Sequence, residues 1–434
     1  MTVSPLNQIP ASVRAIRQAH VNRRTILGAG AGIGAAALLA GCGGGASSDP
    51  NLVTVGSHQS DDVPRKAFAE MIDSWKGGTT KINTVDHETF KEGINNYLQG
   101  NPDDVFTWFA GYRARYFAER GLVGDLSDVW EKITGMPESM KVASTDNEGR
   151  QVFIPNNYYP WAIFYKPSVF EANGWSAPTT FDEWITLNES IKGAGMDPIA
   201  MSDKDGWEAM GTFDMLNLRL NGYDYHVSLM AGEESWTGDP VKKVFSAWSE
   251  LLPFQQADPL GRTWQEAAQS VLNEKSAMYL MGMFIDQQWA TSSNPEDIDF
   301  FVVPEFDPAI GADVVEAPID GFMMAAKPTN EEKAKELLLY LSTAEAIEYK
   351  LKADPSVISP RSDQDQATYT PLQKKAVEVV DNASAISQFL DRDTRPDFAS
   401  TVITPALQNY LRTPGDIDSI LKDVETQKVS IFAS

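Results

Sequence analysis

Residues 51–75, NLVTVGSHQSDDVPRKAFAEMIDSW, contain the pattern that decides the fold. Residues 51–56 have the apolar character of a strand, and a short polar turn follows them. Pro64 then stands near the start of a helix. Four large apolar residues of this helix fall on one face: Phe68, Met71, Ile72 and Trp75. The stretch therefore predicts a strand, a loop and an amphipathic helix.

The same unit recurs along the chain. Residues 81–85 and 104–108 form the next predicted strands, and each leads into a helical pattern. A second series begins with a strand at 162–165 and a helix opened by Thr180 and Glu183, which have the spacing of a capping box. Strands that alternate with helices predict an α/β fold with parallel sheets covered on both faces.

The rest of the chain continues the pattern. Residues 276–280 and 301–303 indicate strands, and residues 331–351 are helical in character. The 434 residues are 42% apolar and 10% aromatic, which is enough to bury a large core. Such a length corresponds to one large domain or two of ordinary size.

Residues 1–41 are predicted to be a signal peptide rather than part of the fold. A basic stretch precedes an apolar run at 26–40, which is shorter than the roughly 20 residues that a membrane-spanning helix needs. Arg23 and Arg24 resemble a twin-arginine signal, but the polar residue and Lys usually found around such a pair are missing. Twin-arginine and Sec export therefore both stay open.

Cys42 is the only cysteine of the chain, and it follows Leu39-Ala40-Gly41 as the acylated residue of a lipoprotein does. We expect a lipid anchor on Cys42 and a flexible tether over residues 42–50, because Gly/Ser segments behave as loose linkers. The alternative is an inert buried cysteine. With Cys42 acylated, no second cysteine is left for a disulfide within the chain or for a Cys-His catalytic pair.

The chain is strongly acidic, with a formal net charge of −24 at pH 7. A negative surface repels the phosphates of nucleic acids, so no nucleic-acid partner is expected. The charge also argues against a polyanionic ligand, although a local basic pocket would override the average. We expect no cofactor and no metal, since no pair of histidines has the H-x-x-x-H spacing.

Several short motifs, in this order and after a lipobox, resemble the extracellular sugar-binding proteins of ABC importers, the group that includes maltose- and trehalose-binding proteins. They cover essentially the whole chain after the signal: 101–108 (NPDDVFTW), 119–126 (ERGLVGDL), 162–167 (AIFYKP), 178–184 (PTTFDEW), 275–282 (KSAMYLMG), 317–322 (APIDGF) and 331–338 (EEKAKELL). Each motif is weakly specific alone, and the order makes the set specific.

The resemblance implies a two-lobed fold of the periplasmic-binding-protein type with the ligand cleft between the lobes. On that template, lobe 1 is predicted at 51–157 plus 323–384, and lobe 2 at 161–320 plus 388–434. Hinges are expected near 157–162, 320–324 and 384–388. The implied partners are a carbohydrate ligand and the membrane subunits of an ABC permease, at the outer face of the cell membrane. We expect a monomer.

A sugar site combines planar polar side chains, which pair with hydroxyls, and aromatic rings, which stack on C–H faces. The candidates come from loops after predicted strands, from the first crossover and from matching positions of lobe 2: His58, Gln59, Ser60, Asp86, His87, Trp108, Ala110, Asn156, Asn157, Tyr158, Trp207, Trp236, Phe284, Asp320, Gly321, Phe322 and Arg392. Gly321 would let the backbone approach the ligand. Arg392 suits bidentate hydrogen bonds to adjacent hydroxyls or to a carboxylate.

Structural roles compete with these assignments. Trp207 and Trp236 fit packing under surface loops, and Asp86 or Asp320 fits a helix or turn cap. The charges of residues 391–395 fit a solvated cluster that contributes little to stability. Trp75, Trp130, Trp184 and Trp248 are expected in the core.

Other functions also stay open at this point. A glycoside hydrolase needs two facing carboxylates roughly 5 to 9.5 Å apart, and an acidic chain offers accidental pairs such as Glu233 and Glu234. Tyr158-Tyr159 suggests ferric iron, although the pair lies at the early crossover. Polyamines, peptides or other small solutes would fit the same fold. No nucleophile elbow G-x-S-x-G and no phosphate-binding G-x-x-x-x-G-K-[ST] is present, so neither a serine hydrolase nor an ATPase is indicated.

Overall fold

The computed structural model describes residues 49–433, and the predicted signal peptide and Cys42 lie outside that range. The strands are β1 (Leu52–Ser57), β2 (Thr79–Thr84), β3 (Val105–Phe109), β4 (Ile154–Tyr158), β5 (Trp161–Tyr165), β6 (Asp197–Ala200), β7 (Ser276–Gly282), β8 (Asp299–Phe301), β9 (Val314–Glu316), β10 (Ile319–Met324) and β11 (Ala385–Ser387). The first nine helices are α1 (Asp62–Ser74), α2 (His87–Gln99), α3 (Tyr112–Glu119), α4 (Ser127–Trp130), α5 (Glu138–Ala143), α6 (Pro167–Asn173), α7 (Phe181–Gly193), α8 (Glu208–Met230) and α9 (Asp239–Leu251). The others are α10 (Trp264–Leu272), α11 (Asp286–Trp289), α12 (Glu331–Leu341), α13 (Ala344–Ala353), α14 (Pro371–Asp381), α15 (Leu390–Asp393), α16 (Pro396–Phe398), α17 (Thr404–Arg412) and α18 (Ile417–Phe432).

The first sheet has the order β2-β1-β3-β10-β4. Strand β1 is parallel to β2 and β3, and β10 runs antiparallel to both β3 and β4. The carboxyl ends of β1, β2, β3 and β4 therefore meet at one edge of the sheet, together with the amino end of β10. This edge faces the second half of the molecule.

The second sheet has the order β6-β7-β5-β8. Strand β5 is antiparallel to β7 and β8, whereas β6 and β7 are parallel. The amino end of β5 and the carboxyl ends of β6 and β7 consequently lie at a common edge. The two separate sheets confirm the predicted α/β, two-lobed fold class.

The chain crosses between the sheets more than once. Strand β4 ends at Tyr158 in the first sheet, and β5 begins at Trp161 in the second. The two-stranded pair of β9 and β11 lies at the later crossings. All of β10 pairs within the first sheet, so Ile319 and Asp320 belong to that lobe and not to lobe 2 as predicted.

The cores contain the tryptophans for which packing was predicted. Trp75, Trp130, Trp184 and Trp248 are all buried. The capping box of Thr180 and Glu183 forms at the start of α7 as predicted. The single helical stretch predicted at 331–351 is instead two helices, because the Thr343 side chain caps a new helix by accepting the backbone N–H of Ala346. Within residues 49–433, every helix is too short or too polar to cross a lipid bilayer.

Candidate functional site

A cavity of about 390 Å³ lies where the facing edges of the two sheets meet. The residues around it come from both sheets and from the helix α15 region. They are His58, Gln59, Ser60, Asp61, Pro64, Asp86, His87, Glu88, Lys91, Phe109, Asn157, Tyr159, Trp161, Asp205, Trp207, Thr263, Trp264, Gln265, Phe284, Gln287, Asp320, Lys350, Asp354, Val357, Phe389, Asp391 and Arg392. Its size falls in the range of small-molecule sites.

The first sheet supplies a polar wall because its strand ends converge. His58 directly follows β1, Asp86 and His87 follow β2, and Phe109 is the last residue of β3. Strand ends at one edge of an α/β sheet are preferred ligand positions. Asp86 also caps helix α2, with its carboxylate accepting the backbone N–H of Thr89 at 3.0 Å.

A chain of hydrogen bonds forms the floor of the cavity. Arg392 Nη1 donates to Asp320 Oδ1 at 2.8 Å, and Arg392 Nη2 donates to the Tyr159 hydroxyl at 3.0 Å. Asn157 Nδ2 donates to Asp320 Oδ2 at 3.2 Å, and Lys350 Nζ donates to Asn157 Oδ1. We name these five residues the polar floor. Because each of these side chains is hydrogen-bonded to a neighbour, its rotamer is set before a ligand binds.

Burial and neighbouring charges determine the ionisation of the cavity groups. Burial, reinforced by nearby cations, lowers the pKa of His87 to about 4 and holds that of His58 well below its usual value, so both imidazoles are neutral at pH 7. Burial also lowers the pKa of Lys350, partly offset by Asp354. Burial opposes the charge of Arg392, but Tyr159 and Asp320 outweigh it and raise its pKa.

The second sheet supplies an aromatic wall. Its rings are in mutual contact, with centroid distances of 4.9 Å between Trp161 and Phe389, 5.1 Å between Trp264 and Phe284, and 6.1 Å between Trp207 and Phe284. The indole N–H groups of Trp161 and Trp207 have no hydrogen-bond partner among residues 49–433.

Besides the contacts of Asp391 and Arg392, two hydrogen bonds span the cavity between the halves. Gln265 Nε2 at the start of α10 donates to Asp61 Oδ2 before α1 at 3.3 Å, and Gln287 Nε2 donates to Ser356 Oγ at 3.2 Å. Both contacts join the second lobe to the first away from the crossover segments. They are made only when the halves are close together.

The structure brings together nine of the fifteen residues predicted to contact a ligand. These are His58, Gln59, Asp86, His87, Asn157, Trp207, Phe284, Asp320 and Arg392. Ser60, also considered, lines the cavity as well. Asp86 is both a cap and a lining residue, so its two interpretations are compatible.

Five of the other predicted contacts lie in the first lobe, and none of them lines the cavity: Trp108, Asn156, Tyr158, Gly321 and Phe322. Successive strand residues point to opposite faces, which accounts for Trp108, Asn156 and Tyr158, because each stands beside a lining residue. Trp108 packs on Phe117 at 5.6 Å, and Phe322 packs on Phe68 of α1 at 6.1 Å. Asn156 Nδ2 reaches the Met71 sulfur at 3.4 Å.

Gly321 and Trp236 are corrected for different reasons. A Cβ at Gly321 would meet the carbonyl oxygen of Ile154 at 2.0 Å. Glycine is therefore needed here so that β4 can lie close to β10, and not so that a ligand can approach the backbone. Trp236 is 1% exposed and stacks on Phe213 at 5.3 Å within the core of the second lobe. Ala110 is fully buried at the end of β3.

The residues that sequence reasoning missed include Phe109, Tyr159, Trp161, Trp264, Lys350, Asp354, Phe389 and Asp391. The alternation of a strand was a usable signal for two of them, since Phe109 and Tyr159 stand beside the wrongly chosen Trp108 and Tyr158. No local pattern marks Lys350, which reaches the cavity from α13. Its contact with Asn157 joins residues 193 positions apart.

No group of three or more His, Cys, Asp or Glu side chains is placed to hold a metal ion within residues 49–433. The Tyr158-Tyr159 pair is also separated by strand alternation. Tyr159 lines the cavity and accepts from Arg392, whereas the backbone of Tyr158 pairs with Ile358.

The chain is similar to known proteins over most of its length. The model of the bacterial extracellular solute-binding proteins matches residues 62–348. An ABC transporter extracellular-binding protein of Pyrococcus horikoshii is 26% identical over 345 residues, which are 76% of this chain and 72% of that protein.

Solved structures agree with this match. The bacterial solute receptor AcbH, described as having an exclusive preference for β-D-galactopyranose, is 41% identical with a TM-score of 0.85. The match covers 88% of this chain and 99% of that one. A chitin oligosaccharide binding protein has the same fold, with a TM-score of 0.78 at 18% identity over 88% of this chain and 99% of its own.

Proposed function

This chain belongs to the bacterial extracellular solute-binding proteins, and on that premise we propose that it binds a mono- or oligosaccharide, or a sugar derivative, and delivers it to an ABC importer. The 41% identity with a galactopyranose receptor and the similarity to a probable sugar-binding periplasmic protein of Mesorhizobium japonicum support this class of ligand. Binding, and not bond breaking, is the activity we infer.

The observation that carries the proposal is the pairing of a polar floor with an aromatic wall across one cavity. Asp320 and Asn157 present acceptors and donors to hydroxyl groups, and Trp161 and Trp207 contribute aromatic surface. A sugar has both kinds of surface. Buried polar groups that a ligand fails to pair cost about 1–3 kcal/mol each, which makes such a site selective for hydroxyl geometry.

Binding is proposed to proceed by hinge closure. A ligand that touches both walls has a higher affinity for the closed arrangement, which is what shifts a conformational equilibrium. The crossing at Tyr159 and Pro160 and the paired strands β9 and β11 are the segments about which the halves would rotate. The closed form is then the one that the permease subunits recognise.

The cellular setting is also part of the proposal. We infer that export removes residues 1–41 and that Cys42 carries the lipid that holds the protein at the outer face of the cell membrane. We further infer a monomer without cofactor, metal or nucleic-acid partner. The family is one of extracellular binding proteins, which supports the location.

Isothermal titration of the purified protein with neutral mono-, di- and oligosaccharides tests the function. At least one sugar is expected to bind saturably at one site per chain, and at 100 times its Kd it should add about 2.7 kcal/mol to the free energy of unfolding. Failure of every sugar to bind would contradict the proposal, as would release of reducing sugar from an oligosaccharide by the protein.

A further inference from the structure

Two of the three cations that line the cavity within residues 49–433 are ion-paired with carboxylates of the protein. Arg392 Nη1 lies 2.8 Å from Asp320, and Lys91 lies 3.5 Å from Asp391 and 3.3 Å from Glu88. The third, Lys350, donates to the side-chain oxygen of Asn157. Each of these cations therefore already has a polar partner within the protein.

Carboxylates also outnumber the cations around the cavity. Seven acidic residues line it, against the three cations Lys91, Lys350 and Arg392: Asp61, Asp86, Glu88, Asp205, Asp320, Asp354 and Asp391. An anionic ligand would enter a field of its own sign, and like charges in a poorly solvated site repel strongly.

Asp320 holds the central position in this arrangement. Its side chain is 15% exposed, and its two oxygens accept from different partners, Oδ1 from Arg392 and Oδ2 from Asn157. Arg392 donates through Nη1 to Asp320 and through Nη2 to Tyr159, so Asp320 occupies one of the nitrogens that a bidentate ligand carboxylate would need.

We propose that Asp320 is a specificity-determining residue that occupies Arg392 and so makes the cavity select an uncharged sugar over the corresponding uronic acid. The inference rests on the proposed sugar-binding function and deepens it. A uronic acid differs from its parent hexose only at C6, where a carboxylate replaces the hydroxymethyl group, so the pair isolates the effect of charge.

Replacing Asp320 by Asn tests the proposal. Asn has nearly the same shape, keeps one acceptor and removes the charge that occupies Arg392. Isothermal titration at pH 7 would compare D-glucose, D-galactose and D-mannose, and their disaccharides, with D-glucuronic and D-galacturonic acid and the matching aldobiouronic acids. The wild type should bind a neutral sugar at least about tenfold more tightly than the matching acid, and Asp320→Asn should reduce this ratio at least about tenfold.

Asp86→Asn is the matched control. It removes one carboxylate from the same cavity and retains a good helix cap, but it does not release Arg392. The ratio of neutral to acidic affinity should change less than about threefold in this variant. A change equal to that of Asp320→Asn would show that total charge, and not the freed Arg392, decides selectivity, which would overturn the proposal.

The outcomes separate this inference from the function. Binding of neutral sugar and uronic acid with equal affinity by the wild type leaves the function standing and refutes the role of Asp320. If no sugar of either class binds, both proposals fail. Should Asp320→Asn fold poorly, as shown by circular dichroism, Asp320→Ser is measured instead, and a ratio within about threefold of the wild-type value would refute the role of Asp320.

Discussion

The two walls of the cavity differ in their chemistry. The wall from the first lobe carries imidazoles, carboxylates, an amide and the Lys350 ammonium, and several of these groups are hydrogen-bonded to protein atoms without a ligand. The wall from the second lobe consists of packed rings around Phe284, with indole N–H groups that lack partners.

This difference shows that neither lobe is a complete site. The polar wall can form hydrogen bonds with hydroxyl groups at defined positions, but it has little apolar surface. The aromatic wall has apolar surface, but it has few hydrogen-bonding groups. A ligand that needs both gains most when the lobes close over it, so the division of chemistry between lobes couples recognition to closure. Each prediction below alters one side of this comparison.

The largest effect on stability and binding is expected from Arg392→Ala, in the polar floor between the two walls. Loss of the guanidinium leaves Asp320 buried without its partner, which typically costs about 3–5 kcal/mol. Chemical denaturation should show a loss of this size, and titration should show loss of sugar binding. Arg65→Ala, which breaks a solvent-exposed ion pair with Asp62, is the control and should cost clearly less. Equal losses would mean that the polar floor has no special role.

Trp207 and Trp236 allow the aromatic wall and the hydrophobic core of the second lobe to be tested separately. Trp236→Ala opens a hole in a packed core and should lower the free energy of unfolding by about 3–5 kcal/mol, with little change in sugar affinity. Trp207→Ala removes a half-buried ring of the aromatic wall and should weaken binding at least about tenfold, with a smaller loss of stability. Titration and thermal unfolding of both variants check this, and the reverse pattern would contradict it.

A third prediction concerns charges behind the cavity. Glu316 of β9 and Asp214 of α8 are fully buried, and burial raises both pKa values well above normal; the charge of Asp214 adds to this at Glu316, and the charges of Asp393 and Asp391 add to it at Asp214. Asp393 and Arg392 are the other charges felt by Glu316. The folded state holds protons that the unfolded state releases, so stability is fully present below the unfolded pKa of about 4 and falls as pH rises toward the folded pKa.

Glu316→Gln should remove part of this pH dependence. The wild type is expected to lose up to about 1.4 kcal/mol per pH unit for each proton retained above pH 4.5, and the variant to lose less. Denaturation at pH 5, 6, 7 and 8 measures the slope. A variant whose stability falls as steeply as that of the wild type would rule out the buried pair as the cause.

The smallest effect is expected at the mouth, where Gln265 bonds to Asp61 across the cleft. Gln265→Ala should destabilise the closed state by about 0.5–1.5 kcal/mol, the usual net contribution of a hydrogen bond. Stopped-flow fluorescence should then show faster sugar release at an unchanged association rate. Gln269→Ala, on the same helix with a partner within its own lobe, should leave the release rate unchanged.

The fold class and much of the polar wall could be predicted from the sequence. His58, Asp86 and His87 follow strands directly, and in a parallel sheet that local fact determines where they lie. The prediction failed where it ignored strand alternation and chose Trp108 over Phe109 and Tyr158 over Tyr159.

Other residues had no local signal at all. Lys350 and Asp354 reach the cavity from a helix late in the chain, and Phe389 from the last crossing. Trp236 and Trp207 both stand in polar, glycine-containing stretches, and only the packing of α8 against its neighbours buries one and leaves the other at the cavity. Such outcomes depend on long-range contacts, which sequence patterns do not specify.

A crystal structure with the neutral sugar that binds most tightly tests the central claim most directly. We predict one sugar ring between the two walls, with a face against Trp161, Trp207 or Phe284 and hydroxyls on Asp320 and Asn157. A sugar that touches only one lobe, or that lies outside the cavity, would contradict the account.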